Sequence, residues 1–113
     1  MSILSAIFGS KQEESKELKI LNADAYKKAV TNKKVQLVDV RTPREFAGGH
    51  ISNAINIDYF DKVSFQKSFD KLSRNQAVYL YCQSGNRSRK AANRLIQMGF
   101  NEIYDLKGGL LAW

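Results

Sequence analysis

One hundred and thirteen residues make one domain at ~100–200 residues per domain, and a hydrophobic fraction of 43% is enough for a core. One proline and seven glycines exclude collagen-like and Pro/Gly-rich disordered chains. One cysteine excludes an internal disulfide framework or a Cys-based zinc site, and one histidine excludes a His cluster. The net charge is +7, and between Lys71 and Asn101 six basic side chains (Lys71, Arg74, Arg87, Arg89, Lys90 and Arg94) meet no acidic residue.

The opening MSILSAIFGS has no basic n-region and too short an apolar stretch for a secretory signal. No apolar run approaches the ~20 residues that span a bilayer, so stable membrane insertion is not expected. With a lone cysteine, the reading is a reducing compartment, the cytoplasm. Ile3, Leu4, Ile7 and Phe8 stand at helical spacing as a loosely docked terminus, and KQEESKE (11–17) is a charged connector. Residues 1–17 are therefore an N-terminal extension and residues 18–113 the domain.

LKIL (18–21) reads as a strand. Asn22 caps a helix through about Val30 with Ala25, Ala29 and Val30 inward. VQLVDV (35–40) is apolar enough for a strand covered on both faces. Thr42-Pro43-Arg44-Glu45 is a helix start, with Thr as N-cap, Pro at the first position and Glu three after the cap; Gly48-Gly49 stops it. AINI (54–57) is a brief strand. Phe65, Phe69 and Leu72 share one face of a helix starting near Asp61 or Ser64. AVYLYC (77–82) is a second central strand, followed by a small polar loop, Gln83 to Arg87. From Ser88 a helix turns Ala91, Ala92, Leu95 and Ile96 inward and ends with Gly99 at C′. EIYDL (102–106) is the last strand, and LLAW closes a final helical turn after Gly108-Gly109. Strands alternating with helices predict an α/β domain with a mainly parallel sheet. Its site lies beyond the carboxyl ends of the strands, where Asp39-Val40-Arg41 and Cys82 fall.

The segment CQSGNRS (82–88) joins a buried strand to a helix. Successive loop N–H groups form an anion nest, and Gly85 permits backbone angles that other residues resist. The helix adds its positive end at Ser88, and Arg87 offers a rigid fork of donors. Such surroundings favour thiolate over thiol at Cys82. The alternative is an inert buried cysteine ending a strand; Gly85, Arg87 and the helix start weigh against it. The basic stretch has three readings: a solvated face, nucleic-acid binding, or a field that draws small anions. No aromatic residue interleaves between Gln83 and Gly99, so no stacking platform is visible and no nucleic-acid partner is expected.

DVRTPREFAGGHISNAINI (39–57) resembles the front signature of the rhodanese-like domains, CQSGNRS (82–88) their active-site loop, and DLKGGLLAW (105–113) their closing segment. The resemblance spans roughly residues 18–113. It implies a three-layer α/β domain and a single-domain sulfurtransferase without cofactor or metal. In that reading Cys82 attacks the sulfane sulfur of thiosulfate or another donor, becomes a persulfide, and passes the sulfur to cyanide, a thiol or a protein. Backbone donors of Gln83, Ser84, Gly85, Asn86, Arg87 and Ser88 would hold the persulfide. Arg87 would help hold the anionic donor, and Asp39 and Arg41 would brace the loop. Two departures bear on stability: Asp58 stands where relatives commonly have proline, and the last helix stops at Trp113. His50 is read as a structural hydrogen-bonding residue, and Tyr79, Tyr81 and Trp113 as core. The first rival is a cysteine phosphatase or arsenate reductase. The Cys82-to-Arg87 loop is one residue shorter than that of the related cell-cycle phosphatases, so the cradle suits a sulfur atom better. A non-catalytic binding module is the second rival.

Overall fold

The structure is a computed structural model and describes residues 17–113. The terminus around Ile3–Phe8 and the connector before Glu17 lie outside the described residues. In chain order the elements are β1 (Leu18–Leu21), α1 (Ala23–Val30), β2 (Gln36–Asp39), α2 (Pro43–Ala47), β3 (Ile55–Asn56), α3 (Lys62–Asp70), β4 (Val78–Tyr81), α4 (Asn86–Gln97), β5 (Ile103–Leu106) and a 3₁₀ turn (Gly109–Ala112). The strands form one sheet in the order β1-β5-β4-β2-β3, with every pair parallel. This is the expected α/β architecture. Among the described residues no helix is long and apolar enough to cross a membrane.

Alternation along the central strands feeds two cores. Val38, Val78 and Leu80 face Phe65, Phe69, Ala91, Ala92 and Leu95, on α3 and α4. Leu37 and Tyr81 face Tyr26 and Val30 of α1. The rings of Phe65, Phe69 and Phe100 follow one another at 4.6 and 6.1 Å between centroids. Each is essentially fully buried, and each such side chain contributes ~2–3 kcal/mol by burial.

Caps set the helix starts. Asn22 accepts from the Ala25 amide, and Asp61 from that of Ser64. Thr42 and Glu45 form a reciprocal capping box. Gly99, at φ +98°, follows α4 as the C′ glycine. Three expectations change. Ala25 is exposed, and Tyr26 instead fills the inner face of α1. Its hydroxyl donates to the Leu80 carbonyl at 2.9 Å, so a large ring with a satisfied polar tip outweighs small alanines. Helix α4 begins at Asn86, two residues before Ser88, because Gly85 at φ +108° serves as its N-cap. Trp113 is at the surface, edge-on to Tyr26 with Lys27 over its ring, while Tyr81 is buried and Tyr79 half-buried.

The closing Gly-Gly segment supports the loop after β4. The amides of Leu110 and Leu111 donate to the carbonyls of Cys82 (2.8 Å) and Gln83 (3.1 Å). Gly109, at φ +64°, leaves no room for a side chain: a Cβ there would sit 2.5 Å from the Gln83 oxygen and 2.6 Å from that of Cys82. Gly109→Ala is therefore expected to lower the unfolding free energy by ~2–3 kcal/mol in urea titrations. Gly49→Ala, at φ +138° with nothing within 4 Å of its Cβ, is expected to cost about 1 kcal/mol, from backbone strain alone.

Candidate active site

Cys82 is the first residue past β4 and is 1% exposed. Its sulfur accepts from the amides of Gly85 (3.1 Å) and Ser88 (3.3 Å), and the thiol donates to Ser88 Oγ at 3.4 Å. The Ser88 hydroxyl donates in turn to the Gly85 carbonyl at 3.3 Å. Among the described residues no acceptor takes the amide hydrogens of Ser84, Asn86 or Arg87. Two of these belong to the first turn of α4, where unsatisfied N–H groups carry the positive end of the helix dipole. The sulfur thus sits on the floor of a cradle with open N–H donors, an arrangement that stabilises negative charge.

Asp39 and Arg41 stand at the end of the neighbouring strand. Both are nearly or fully buried, and they form a two-pronged pair: Nε lies 3.0 Å from each Asp39 carboxylate oxygen and Nη2 2.7 Å from Oδ2. The hydrogen bond to Asp39 raises the Arg41 pKa further, against desolvation. Two further guanidinium N–H groups donate, Nη1 to the Gln83 side-chain oxygen (3.2 Å) and Nη2 to the Gly49 carbonyl (2.7 Å). Arg41 therefore touches the loop through Gln83. Asn56, which the sequence did not mark, donates to the carbonyls of Asp39 (3.0 Å) and Arg41 (2.8 Å) and fixes that strand end.

Arg87 does not extend alone into the cradle. Its two terminal nitrogens face Glu45 Oε1 (2.7 Å) and Oε2 (3.0 Å), a forked pair. Glu45 Oε1 also accepts from the Thr42 amide (3.0 Å) and hydroxyl (3.1 Å), so the capping box holds the ion pair in place. The Phe60 ring lies 5.5 Å from the guanidinium. Sequence reasoning saw Glu45 as a helix cap and missed this second role; the two residues are 42 positions apart.

The other loop residues divide simply. Ser84 and Asn86 are exposed, and Gly85 is half-buried. Arg89 pairs with Asp105 at 3.3 Å and Arg74 with Asp70 at 2.8 Å, while the Arg94 guanidinium lies 4.0 Å from the Phe65 ring centroid. Half of the basic run that looked unopposed along the chain thus faces carboxylates in space, Arg74 with Asp70, Arg87 with Glu45 and Arg89 with Asp105, which weakens the idea of a long-range anion-drawing field. Asp105 is fully buried with Oδ1 unpartnered among the described residues; burial raises its pKa, against the Ser88 hydroxyl and Arg89. His50 stacks on Phe46 at 3.7 Å, and its Nδ1 lies 2.9 Å from the Phe46 carbonyl oxygen.

Pairing with Arg87 is the main reason the Glu45 carboxyl is held down at about 2 from the ordinary 4.5. A folded-state value below the unfolded one means stability that is full above about pH 4.5 and is lost as pH falls toward 2. Because the Glu45 side chain is 32% exposed, solvent screening reduces the contribution to ~1 kcal/mol. Urea titrations are expected to show Glu45→Gln less stable than wild type by this amount near neutral pH, with the gap closing as pH falls through that window.

The sequence profile of the rhodanese-like domain matches residues 22–113. The chain is 44% identical over 81 residues to the uncharacterized protein YqhL of Bacillus subtilis, covering 72% of this chain and 62% of the relative, less than two thirds of its length. It is 38% identical over 78 residues to the thiosulfate sulfurtransferase GlpE of Pseudomonas aeruginosa, covering 69% of this chain and 68% of that one. The crystal structure of a rhodanese-like domain protein from Staphylococcus aureus superposes with a TM-score of 0.72 at 32% identity, over 84% of this chain and 90% of that one. Profile, sequence relatives and fold agree, and the chain belongs to the rhodanese-like domain family.

Proposed function

We propose that residues 18–113 form a sulfurtransferase in which Cys82 carries sulfane sulfur as a persulfide. The observation that carries this reading is the cradle itself: a sulfur already accepting two amide hydrogen bonds, at 3.1 and 3.3 Å, under further unoccupied amides at a helix start. The thiosulfate sulfurtransferase name of a relative at 38% identity supports the same chemistry.

In the first step the Cys82 thiolate attacks the outer sulfur of a donor. The donor's bond to that sulfur breaks, and its electron pair leaves with the donor remnant, sulfite in the case of thiosulfate. The product is Cys82–S–S⁻, whose terminal charge faces the amides of Ser84, Asn86 and Arg87. In the second step a thiol, cyanide or a protein nucleophile attacks the terminal sulfur and releases the Cys82 thiolate. The chain holds one cysteine, so within it no second thiol resolves the persulfide. A free thiol of this kind suits a reducing compartment, and we assign the protein to the cytoplasm.

Commitment of the Arg87 fork to Glu45 argues against a phosphatase, which needs such a fork for the phosphate oxygens.

Intact mass spectrometry tests the reaction class. After incubation with a sulfane-sulfur donor the wild-type chain is expected to gain the mass of one sulfur atom and lose it on addition of cyanide. Cys82→Ser is expected to gain none, a hydroxyl being a far poorer nucleophile in the same place. Ser88→Ala, which removes the hydroxyl 3.4 Å from the sulfur, is expected to slow loading about tenfold. Hydrolysis of p-nitrophenyl phosphate faster than sulfur loading would replace this reading with the phosphatase.

A further inference from the structure

Three arginines stand around the Cys82 loop, and each already faces a carboxylate: Arg41 with Asp39, Arg87 with Glu45, and Arg89 with Asp105. Further along α4, Lys90 is exposed and Arg94 lies over Phe65. Arg87 is the guanidinium inside the loop sequence itself. Its pKa is raised mainly by Glu45, with a smaller contribution from the charge of Cys82, so it feels the reacting sulfur. Both ends of its fork are taken. Glu45 is fixed from behind by the Thr42 amide and hydroxyl, so releasing Arg87 also disturbs the capping box of α2.

We propose that Glu45 is a specificity residue of this site: by occupying the Arg87 fork it denies the cradle a free cation and selects against dianionic donors, in favour of an uncharged hydropersulfide, R–S–S–H, borne on an organic thiol. The proposal rests on the sulfurtransferase reading. The favoured reaction is Cys82–S⁻ plus R–S–S–H giving Cys82–S–S–H plus R–S⁻. One sulfur–sulfur bond forms as another breaks, and the electron pair leaves on the organic thiolate. No oxidant is consumed. Backbone amides suffice for the single charge that moves through this step, whereas a thiosulfate dianion brings two further charges that Glu45 opposes.

Two measurements separate the proposal from the reading beneath it. The first alkylates Cys82 with iodoacetate and with iodoacetamide, probes of similar size that differ by one negative charge. Glu45→Gln keeps an amide oxygen for the Thr42 cap and removes the charge. It is expected to raise the iodoacetate-to-iodoacetamide rate ratio about fivefold, the effect of freeing one cation near the sulfur in partly screened surroundings. Arg87→Ala in the same background is expected to return the ratio to the wild-type value. The second compares kcat/KM for thiosulfate with kcat/KM for the persulfide of mercaptoethanol; wild type is expected to prefer the persulfide, and Glu45→Gln to shift the ratio at least about fivefold toward thiosulfate. An unchanged ratio in both experiments, with sulfur transfer intact and the variant folded by thermal melt, overturns the role of Glu45 and leaves the sulfurtransferase standing. A gain that survives Arg87→Ala overturns it too, because the charge acting would not be that of Arg87. A shifted alkylation ratio with no sulfur loading from either donor upholds charge selection at Cys82 and overturns the sulfurtransferase reading and the persulfide donor with it.

Discussion

The carbonyls of Cys82 and Gln83 are fixed outward, and much of the site follows from that constraint. They are held by the amides of Leu110 and Leu111, in a segment that packs so closely that Gly109 admits no Cβ. A peptide plane with its oxygen anchored on one side presents its N–H on the other. The left-handed Gly85 then turns the chain directly into α4, so the following amides gather over the Cys82 sulfur without any side chain to place them. The cradle is built from backbone, and the closing Gly-Gly segment, distant in sequence, is what keeps that backbone in register.

Side chains enter as bracing and as charge control. The Asp39–Arg41 pair is nearly fully removed from water, a costly arrangement unless the remaining donors are satisfied. Here each guanidinium nitrogen has a partner: Nη1 donates to Gln83, and Nη2 to Gly49 as well as to Asp39. One buried ion pair thereby links the end of β2, the turn after α2 and the active loop. Glu45 and Arg87 make a second link, from the start of α2 to the start of α4, nearer the surface. Both links join a strand end or helix start to the loop. The mouth of the cradle is held by charges that cancel in pairs, and the open amides are left as the source of positive potential.

Much of this was legible along the chain, because it depends on neighbours in sequence. Asn22, Thr42 with Glu45, Asp61 and Gly99 act on groups within four residues, and each appears where its local chemistry puts it. The apolar runs VQLVDV and AVYLYC marked central strands for the same reason. The misses came where a distant group decides. Ala25 and Tyr26 compete for one helix face, and the choice is made by the Leu80 carbonyl, 54 residues away. The first turn of α4 begins at Asn86 because Gly85 adopts a left-handed cap, a conformation that its identity permits and does not require. The basic run from Lys71 to Asn101 looked unopposed because its carboxylates lie at other sequence distances; Glu45 and Asp105 reach it only once the sheet has formed.

Two neighbours in the first turn of α4 face different partners. The Cys82 sulfur accepts from Ser88 N–H, and the Asp105 carboxylate pairs with Arg89, the next residue of the first turn. Unsatisfied amides and aligned dipoles in that turn favour negative charge at the sulfur, whereas the Asp105 carboxylate is met by a guanidinium. The two sites differ in what else they have. Asp105 lies fully buried with one oxygen unpartnered among the described residues, and burial raises its pKa. Cys82 has two amide donors directly on the sulfur. Burial works against charge on the carboxyl, whereas at the sulfur two backbone N–H groups point directly at the atom. The parallel sheet thus places Cys82, at the end of β4, against the amides of the first turn of α4, and Asp105, one strand over on β5, against the Arg89 side chain of that turn.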